Sequence, residues 1–211
     1  SAENPLVNMN LMQFSAETAS ESPAPGGGSI AAYLGALGIS LGTMVANLSS
    51  SKKGWEDQWE SFSDWAEKGQ QFRKQLLFMV DEDTRSFNKI MDAFQLPKGT
   101  PDEIAARKQA IQTATKYAIE VPFKVMELCL EAMEIIKAMA EKGNPASASD
   151  AGVGAMCART AVSGAFLNVR INCGSYNDKG FVSDIIAKGT VIENKALELE
   201  KATLAAVAAN I

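Results

Sequence analysis

Pro25-Gly26-Gly27-Gly28-Ser29-Ile30-Ala31-Ala32-Tyr33-Leu34-Gly35-Ala36-Leu37-Gly38-Ile39-Ser40-Leu41-Gly42-Thr43-Met44-Val45-Ala46-Asn47 carries no charged residue. At about 100° per residue, Ala31, Gly35, Gly38, Gly42 and Ala46 fall on one helical face. Such a ridge of small residues lets a second helix backbone come close. The uncharged run 30–46 is short of the ~20 residues of a membrane span and contains Ser40 and Thr43 besides glycines, so it reads as a buried helix. Gly26, Gly27 and Gly28 ahead of it are costly, because glycine loses the most backbone freedom. They predict a functional loop at the helix start.

Outward from this helix the periodicity stays helical, and strand signals are almost absent. A short helix is predicted over Leu11 to Ala19, and the glycine-led helix runs to about Asn47 before a polar break at 49–54. A long helix follows from Trp55 to Phe94 and ends at Leu96-Pro97-Lys98-Gly99. Thr100-Pro101-Asp102-Glu103 is a strong start: Thr100 as N-cap, Pro101 at the first position, Glu103 closing a capping box. That helix is predicted to reach Glu141, with a break or kink near Pro122. Ser149-Asp150 opens the next helix to Cys173, and a last one covers 178–210, interrupted at Gly189. The fold class is all-α: one domain of long antiparallel helices over residues 1–211.

Composition narrows the chemistry. A net charge of −5 over 211 residues disfavours nucleic acid as a partner, since phosphate neutralisation needs clustered Lys and Arg. Cys129, Cys157 and Cys173 fit neither a disulfide framework nor a metal motif, which points to a reducing, cytoplasmic compartment. Ser1-Ala2-Glu3-Asn4 shows no Met and no signal-peptide pattern, as in a trimmed start or a domain cut from a longer chain. There is no histidine, so imidazole acid/base catalysis and His-ligated zinc are excluded. Proton transfer near neutral pH falls to a carboxylate, Lys, Tyr or Cys.

Two segments stand out, one for a carboxylate and one for amides. Within Asp81-Glu82-Asp83, the helical walk puts Asp81 on a solvated face with Arg85, Asn88 and Asp92. Asp83 instead lines up with Phe72, Leu76, Met79, Phe87, Ile90 and Phe94. A carboxylate in an apolar stripe must be paired, hydrogen-bonded or raised in pKa. It is either an acid/base group or a structural bridge, and helical geometry leaves both open. Further on, Asn168 and Asn172 lie one turn apart on a small or apolar face shared with Asp150. Buried amides need partners and can orient a polar heterocycle. Asp150 by itself suits a first helical turn, and Lys52 and Lys53 suit a helix C-terminus. The aromatic run Trp55, Trp59, Phe62, Trp65 reads as core or dimer surface. The glycine stretch has no P-loop lysine and follows no strand, so it is no nucleotide site.

Pro25-Gly26-Gly27-Gly28-Ser29, Met44-Val45-Ala46-Asn47, Asp81-x-Asp83-x-x-x-Phe87, Leu96-Pro97-Lys98, Gly143-Asn144, Ser149-Asp150 and Gly164-Ala165-x-x-Asn168-Val169-x-Ile171-Asn172 follow one another in order. This ordered set resembles the formimidoyltetrahydrofolate cyclodeaminase family, which includes the C-terminal domain of formiminotransferase-cyclodeaminase and stand-alone methenyltetrahydrofolate cyclohydrolases. The resemblance implies a helical homodimer that converts 5-formimidoyltetrahydrofolate to 5,10-methenyltetrahydrofolate and ammonia, in histidine breakdown, with no metal or redox cofactor. It also implies that Asp83, the second aspartate of its segment, is the proton acceptor. Beside it, Gly26, Gly27, Gly28, Ser29, Asn47, Asn144, Asp150, Asn168 and Asn172 are candidates to hold the folate. Lys52, Lys53 and Lys98 are candidates for its glutamate tail, which can be polyglutamylated. The alternatives are a cyclohydrolase giving 10-formyltetrahydrofolate with the same carboxylate, and a non-enzymatic folate-holding or oligomerisation module.

Overall fold

A computed structural model describes residues 5–211, so Ser1-Ala2-Glu3-Asn4 and the reading of the chain start lie outside the described residues. Six helices form it: α1 (Leu11–Thr18), α2 (Gly27–Ser50), α3 (Trp59–Phe94), α4 (Pro101–Lys142), α5 (Ala148–Cys173) and α6 (Lys179–Ala208), with one 3-10 turn at Pro145–Ser147. No strand occurs among the described residues. Helices adjacent in sequence run antiparallel from α2 onward, so α2 and α4 run parallel. The core gathers around α2, which packs against α3, α4 and α5, while α6 covers α4 and α5. By length and hydropathy α2 could cross a membrane, but most of it is buried among its neighbours.

The small-residue ridge of α2 explains this central place. Gly35 faces the Cys129 sulfur of α4, and Gly42 faces Ile136 one level further along. Gly38 meets α5, where a methyl on it would come 2.7 Å from the Gly154 carbonyl oxygen. The approach is reciprocal, since a methyl on Gly154 would fall 2.8 Å from the Gly38 oxygen. Backbone thus touches backbone. The N-cap of α4 follows the reading of Thr100 and Glu103, with both halves of the capping box formed.

Four readings change. Gly27 and Gly28 are the first helical turn of α2, not a loop, and none of Gly26, Gly27 or Gly28 has a positive φ. α3 begins at Trp59 rather than Trp55, because Trp55 turns back to stack on Phe62 with ring centroids 5.6 Å apart. Of that aromatic run, Phe62 is core while Trp59 is exposed. α6 continues through Gly189, whose missing side chain makes room for the Phe166 ring. α4 continues through Pro122 without a break. The carbonyl that loses its helical donor to this proline is that of Ala118, one turn back. It is taken instead by the Asn172 amide, at 2.8 Å.

Gly38→Ala and Gly154→Ala are each expected to destabilise the protein by ~1–3 kcal/mol, because overpacking outweighs alanine's helix preference of about 1 kcal/mol. Gly164→Ala, which would meet only the Ala31 methyl at 3.6 Å, should stabilise by ~0.5–1 kcal/mol. Urea unfolding of the three variants checks the ranking.

Candidate functional site

The apolar stripe of α3 leaves the core at Asp83. Leu76 and Met79 before it are buried, whereas Phe87 and Phe94 after it are exposed. There the carboxylate packs over Gly28, and a methyl on Gly28 would overlap it. Close approach, rather than backbone conformation, is what requires this glycine. The Ser29 backbone N–H donates to the carboxylate, and the Ser29 hydroxyl lies 3.5 Å from Oδ2. Gly26, the N-cap of α2, supplies no side-chain cap, so Asp83 from the neighbouring helix does that work. Burial pushes the Asp83 carboxyl above its usual range, and the two Ser29 bonds only partly offset the rise.

Around it lies a cleft of about 150 Å³. Pro23, Ala24, Gly26 and Gly27 form one wall, Asp83, Thr84, Ser86, Phe87 and Ile90 of α3 another, and Ala118, Asn168 and Asn172 the third. Asp83 is the only ionisable residue in that lining. Asn172 donates to Ala118 and Asn168 to the Gly164 carbonyl at 3.0 Å, so each amide is oriented by a helix carbonyl. Each keeps its oxygen as an acceptor. The structure therefore brings Gly26, Gly27, Asp83, Asn168 and Asn172 together, with Gly28 and Ser29 directly behind the carboxylate. Ser29 is fully buried, so its contact is with Asp83 and not with a bound molecule.

The other predicted residues lie elsewhere. Asn47 sits near the far end of α2, about 30 Å from Gly27 at 1.5 Å per residue. Lys52 and Lys53 follow at that end, where the Lys52 ammonium lies over the Trp55 ring, 3.9 Å from its centroid. Asn144 is a joint there: its N–H donates to Ser49 Oγ and its side chain caps the 3-10 turn. Asp150 occupies the first turn of α5, also at that end. Lys98 lies beyond α3 at the cleft end, exposed and outside the lining.

Asp81 is corrected outright. It is 2% exposed and accepts from the backbone N–H groups of Leu6 and Val7 at 2.8 and 3.2 Å. The N-terminal segment folds back over what the helical walk treats as a solvated face. Arg85 bonds Glu82 at 2.6 Å instead of Asp81. Glu82, which the helical walk did not single out, is nearly buried and also accepts from Tyr117. Burial raises its pKa, but the Tyr117 and Arg85 bonds outweigh that and hold it below the usual range, while Tyr117 is pushed up to about 12. Thr84, Ser86, Pro23 and Ala24 were also missed as lining. Only their nearness in sequence to Asp83 and Gly26 could have pointed to them.

A larger groove of about 900 Å³ opens between the C-terminal half of α3 and the start of α4, beside Lys89, Ala110 and Tyr117. It lacks Asp83 and both asparagines. Among the described residues no three His, Cys, Asp or Glu side chains gather in a metal-binding arrangement.

A sequence profile described as formiminotransferase-cyclodeaminase matches residues 10–189. Methenyltetrahydrofolate cyclohydrolase of Methylorubrum extorquens is 37% identical over 177 residues, covering 84% of this chain and 85% of that protein. Formimidoyltransferase-cyclodeaminase of Gallus gallus is 37% identical over 179 residues, covering 85% of this chain but only 33% of that protein. The chain thus spans about a third of the length of that relative. The crystal structure of formiminotetrahydrofolate cyclodeaminase from Thermotoga maritima is similar with a TM-score of 0.85 and 25% identity, covering 96% of this chain and 98% of that one. On the profile match and these identities, the chain belongs to the formiminotransferase-cyclodeaminase family.

Proposed function

We propose that this protein is a formimidoyltetrahydrofolate cyclodeaminase in which Asp83 carries the proton. The observation that carries the reading is a single ionisable group in the cleft, a carboxylate raised in pKa by burial and flanked by two oriented amides. In this reaction N10 of the folate attacks the formimidoyl carbon on N5, closing a five-membered ring. Both reacting groups belong to one molecule, so proximity already lowers much of the barrier. With the formimidoyl group in its protonated, amidinium form, attack leaves an amino group on the ring carbon. Asp83 accepts the N10 proton as the ring forms and returns it to that amino nitrogen. The C–N bond to it then breaks, releasing ammonia and leaving the positive charge on the methenyl product. A carboxylate near its ordinary pKa would be too weak a base to take the N10 proton and would rarely hold one near neutral pH. Raised, it serves both steps. Asn168 and Asn172 offer acceptor oxygens to the N–H groups of the pterin. A cleft of about 150 Å³ takes the reacting atoms, and the remainder of the folate extends over the exposed Phe87 and beyond. These steps draw on no metal or redox cofactor.

A second reading has a specific observation behind it. The Methylorubrum extorquens relative, matched over most of its own length, is named a cyclohydrolase. That reaction adds water to the methenyl carbon and opens the same ring with the same carboxylate.

Homodimerisation is part of the proposal. The outer faces of α2 and α5 expose Leu37, Met44, Leu48, Val153, Met156, Leu167 and Ile171. No Asp, Glu, Lys or Arg lies on α2 to break that surface. Lys52 and Lys53 lie at the far end of α2 from their own Asp83, and the proposal has them hold a tail at the cleft of a second subunit. Three free cysteines support the reading of a cytoplasmic protein.

Asp83→Asn should lower turnover by ~10²–10⁴-fold, with the same melting temperature as wild type or a higher one. The sign of the stability effect follows from the raised pKa. The folded chain holds this proton more tightly than the unfolded chain, so ionisation costs stability as pH rises from the ordinary value of 3.8 through the raised one. Asparagine avoids that cost. In wild type, turnover should rise with pH through the same raised value, giving an acid limb above the ordinary aspartate range. Ammonia release from the formimidoyl substrate, measured beside hydrolysis of the methenyl substrate, should be the faster activity; the reverse ranking selects the cyclohydrolase. Sedimentation equilibrium should return twice the mass of one chain.

A further inference from the structure

Ser29 lies behind the carboxylate, fully buried and outside the cleft lining. Its Oγ donates to the Val80 carbonyl at 2.7 Å, and lies 3.5 Å from Asp83 Oδ2 and 3.4 Å from Thr84 Oγ1. Val80 is inside α3, where its carbonyl also receives a helical N–H, so the hydroxyl can turn away without orphaning it. We propose that Ser29 is a positioning residue for Asp83, its hydroxyl accepting from the protonated carboxyl and donating to the ionised one. This rests on the reading of Asp83 as the proton carrier.

The chemistry of the partner is what distinguishes Ser29. A backbone N–H can only donate, so it favours the carboxylate state alone, whereas a hydroxyl both donates and accepts. A group that takes a proton and returns it within one turnover needs a partner for both states. The Ser29 proton stays on its own oxygen throughout and only rotates. Hydrogen bonds at catalytic groups are often long in the free enzyme and tighten with substrate, in keeping with 3.5 Å.

Among the described residues, no second charged side chain lines the cleft. α2 contributes no Asp, Glu, Lys or Arg, α4 faces the cleft with Ala118, and α5 with Asn168 and Asn172. On α3 itself, Asp81 is turned to the Leu6 and Val7 amides and Glu82 is bound by Arg85 and Tyr117. Ser29 therefore acts on Asp83 without competition from a second titrating group in the cleft.

The test is the pH dependence of kcat and KM for Ser29→Ala, Ser29→Cys and Ser29→Thr, assayed beside Asp83→Asn with melting temperatures. Ser29→Ala should lower kcat by ~10-fold with KM unchanged, and shift the acid limb to higher pH, because a donor to the anion is lost. Ser29→Cys keeps the volume with a weak donor and should follow alanine, which covers failure of the alanine chain to fold. Ser29→Thr should recover the limb. A limb that stays in place in a folded alanine or cysteine variant, or a change confined to KM, overturns the assignment. If Asp83→Asn keeps wild-type turnover, the reading of Asp83 itself fails and takes the Ser29 role with it. An inactive Asp83→Asn beside a wild-type Ser29→Ala overturns Ser29 alone.

Discussion

The contact between the Asp83 carboxylate and the first turn of α2 is the constraint on which the site depends. It forbids a side chain at position 28 and fixes how closely α2 and α3 approach at the cleft end. It also replaces the missing cap of α2, since Gly26 offers the helix no side-chain acceptor. The energetics are mixed by design. Removing a carboxylate from water costs several kcal/mol. A hydrogen bond to a charged group returns about 1.5–3 kcal/mol, and a helix N-terminus about 0.3–1 kcal/mol. Ser29 and the end of α2 thus recover part of the cost and not all of it. The remainder appears as the raised pKa.

A second local cost points the same way. Proline within a helix forfeits a hydrogen bond and disfavours the turn before it by about 3 kcal/mol. In α4 the orphaned carbonyl of Ala118 becomes the anchor for Asn172, whose other end borders the cleft. An amide that would otherwise sample several rotamers is held in one. The helix continues because Pro122 is itself buried and α2, α3, α5 and α6 pack along α4 on several sides. Tertiary packing overrides the break that the residue type predicts.

What could be read from the sequence follows from how local each signal is. Helix existence, the Thr100–Glu103 cap and the glycine ridge depend on neighbours within a turn or two, and all appear in the fold. Asp83 stood out because the 3.6-residue period separates it from Asp81. The same argument misplaced Asp81, since a helical walk knows nothing of a segment 75 residues away folding over it. Gly26 to Gly28 predict a loop because glycine's cost is visible in sequence, whereas the use of Gly28, clearance for a carboxylate from another helix, is not. Gly189 repeats the lesson with an aromatic ring. Asn144 and Asp150 share motifs with the cleft residues along the chain, yet the bundle sets them at its other end.

The absence of histidine and the absence of cations from the cleft belong together. A chain without imidazole can reach a near-neutral proton carrier by raising a carboxylate, and burial supplies that direction. A lysine beside Asp83 would stabilise the anion and cancel the shift. The lining accordingly holds amides, hydroxyls and apolar groups, and no Lys or Arg. A folate, however, ends in carboxylates that need positive charge. The two demands can be met only by separating them in space, with the cation well away from the reacting carbon. Within the proposed function, Lys98, exposed beyond α3 at the cleft end and outside the lining, meets that separation, whereas a lysine within the cleft would not.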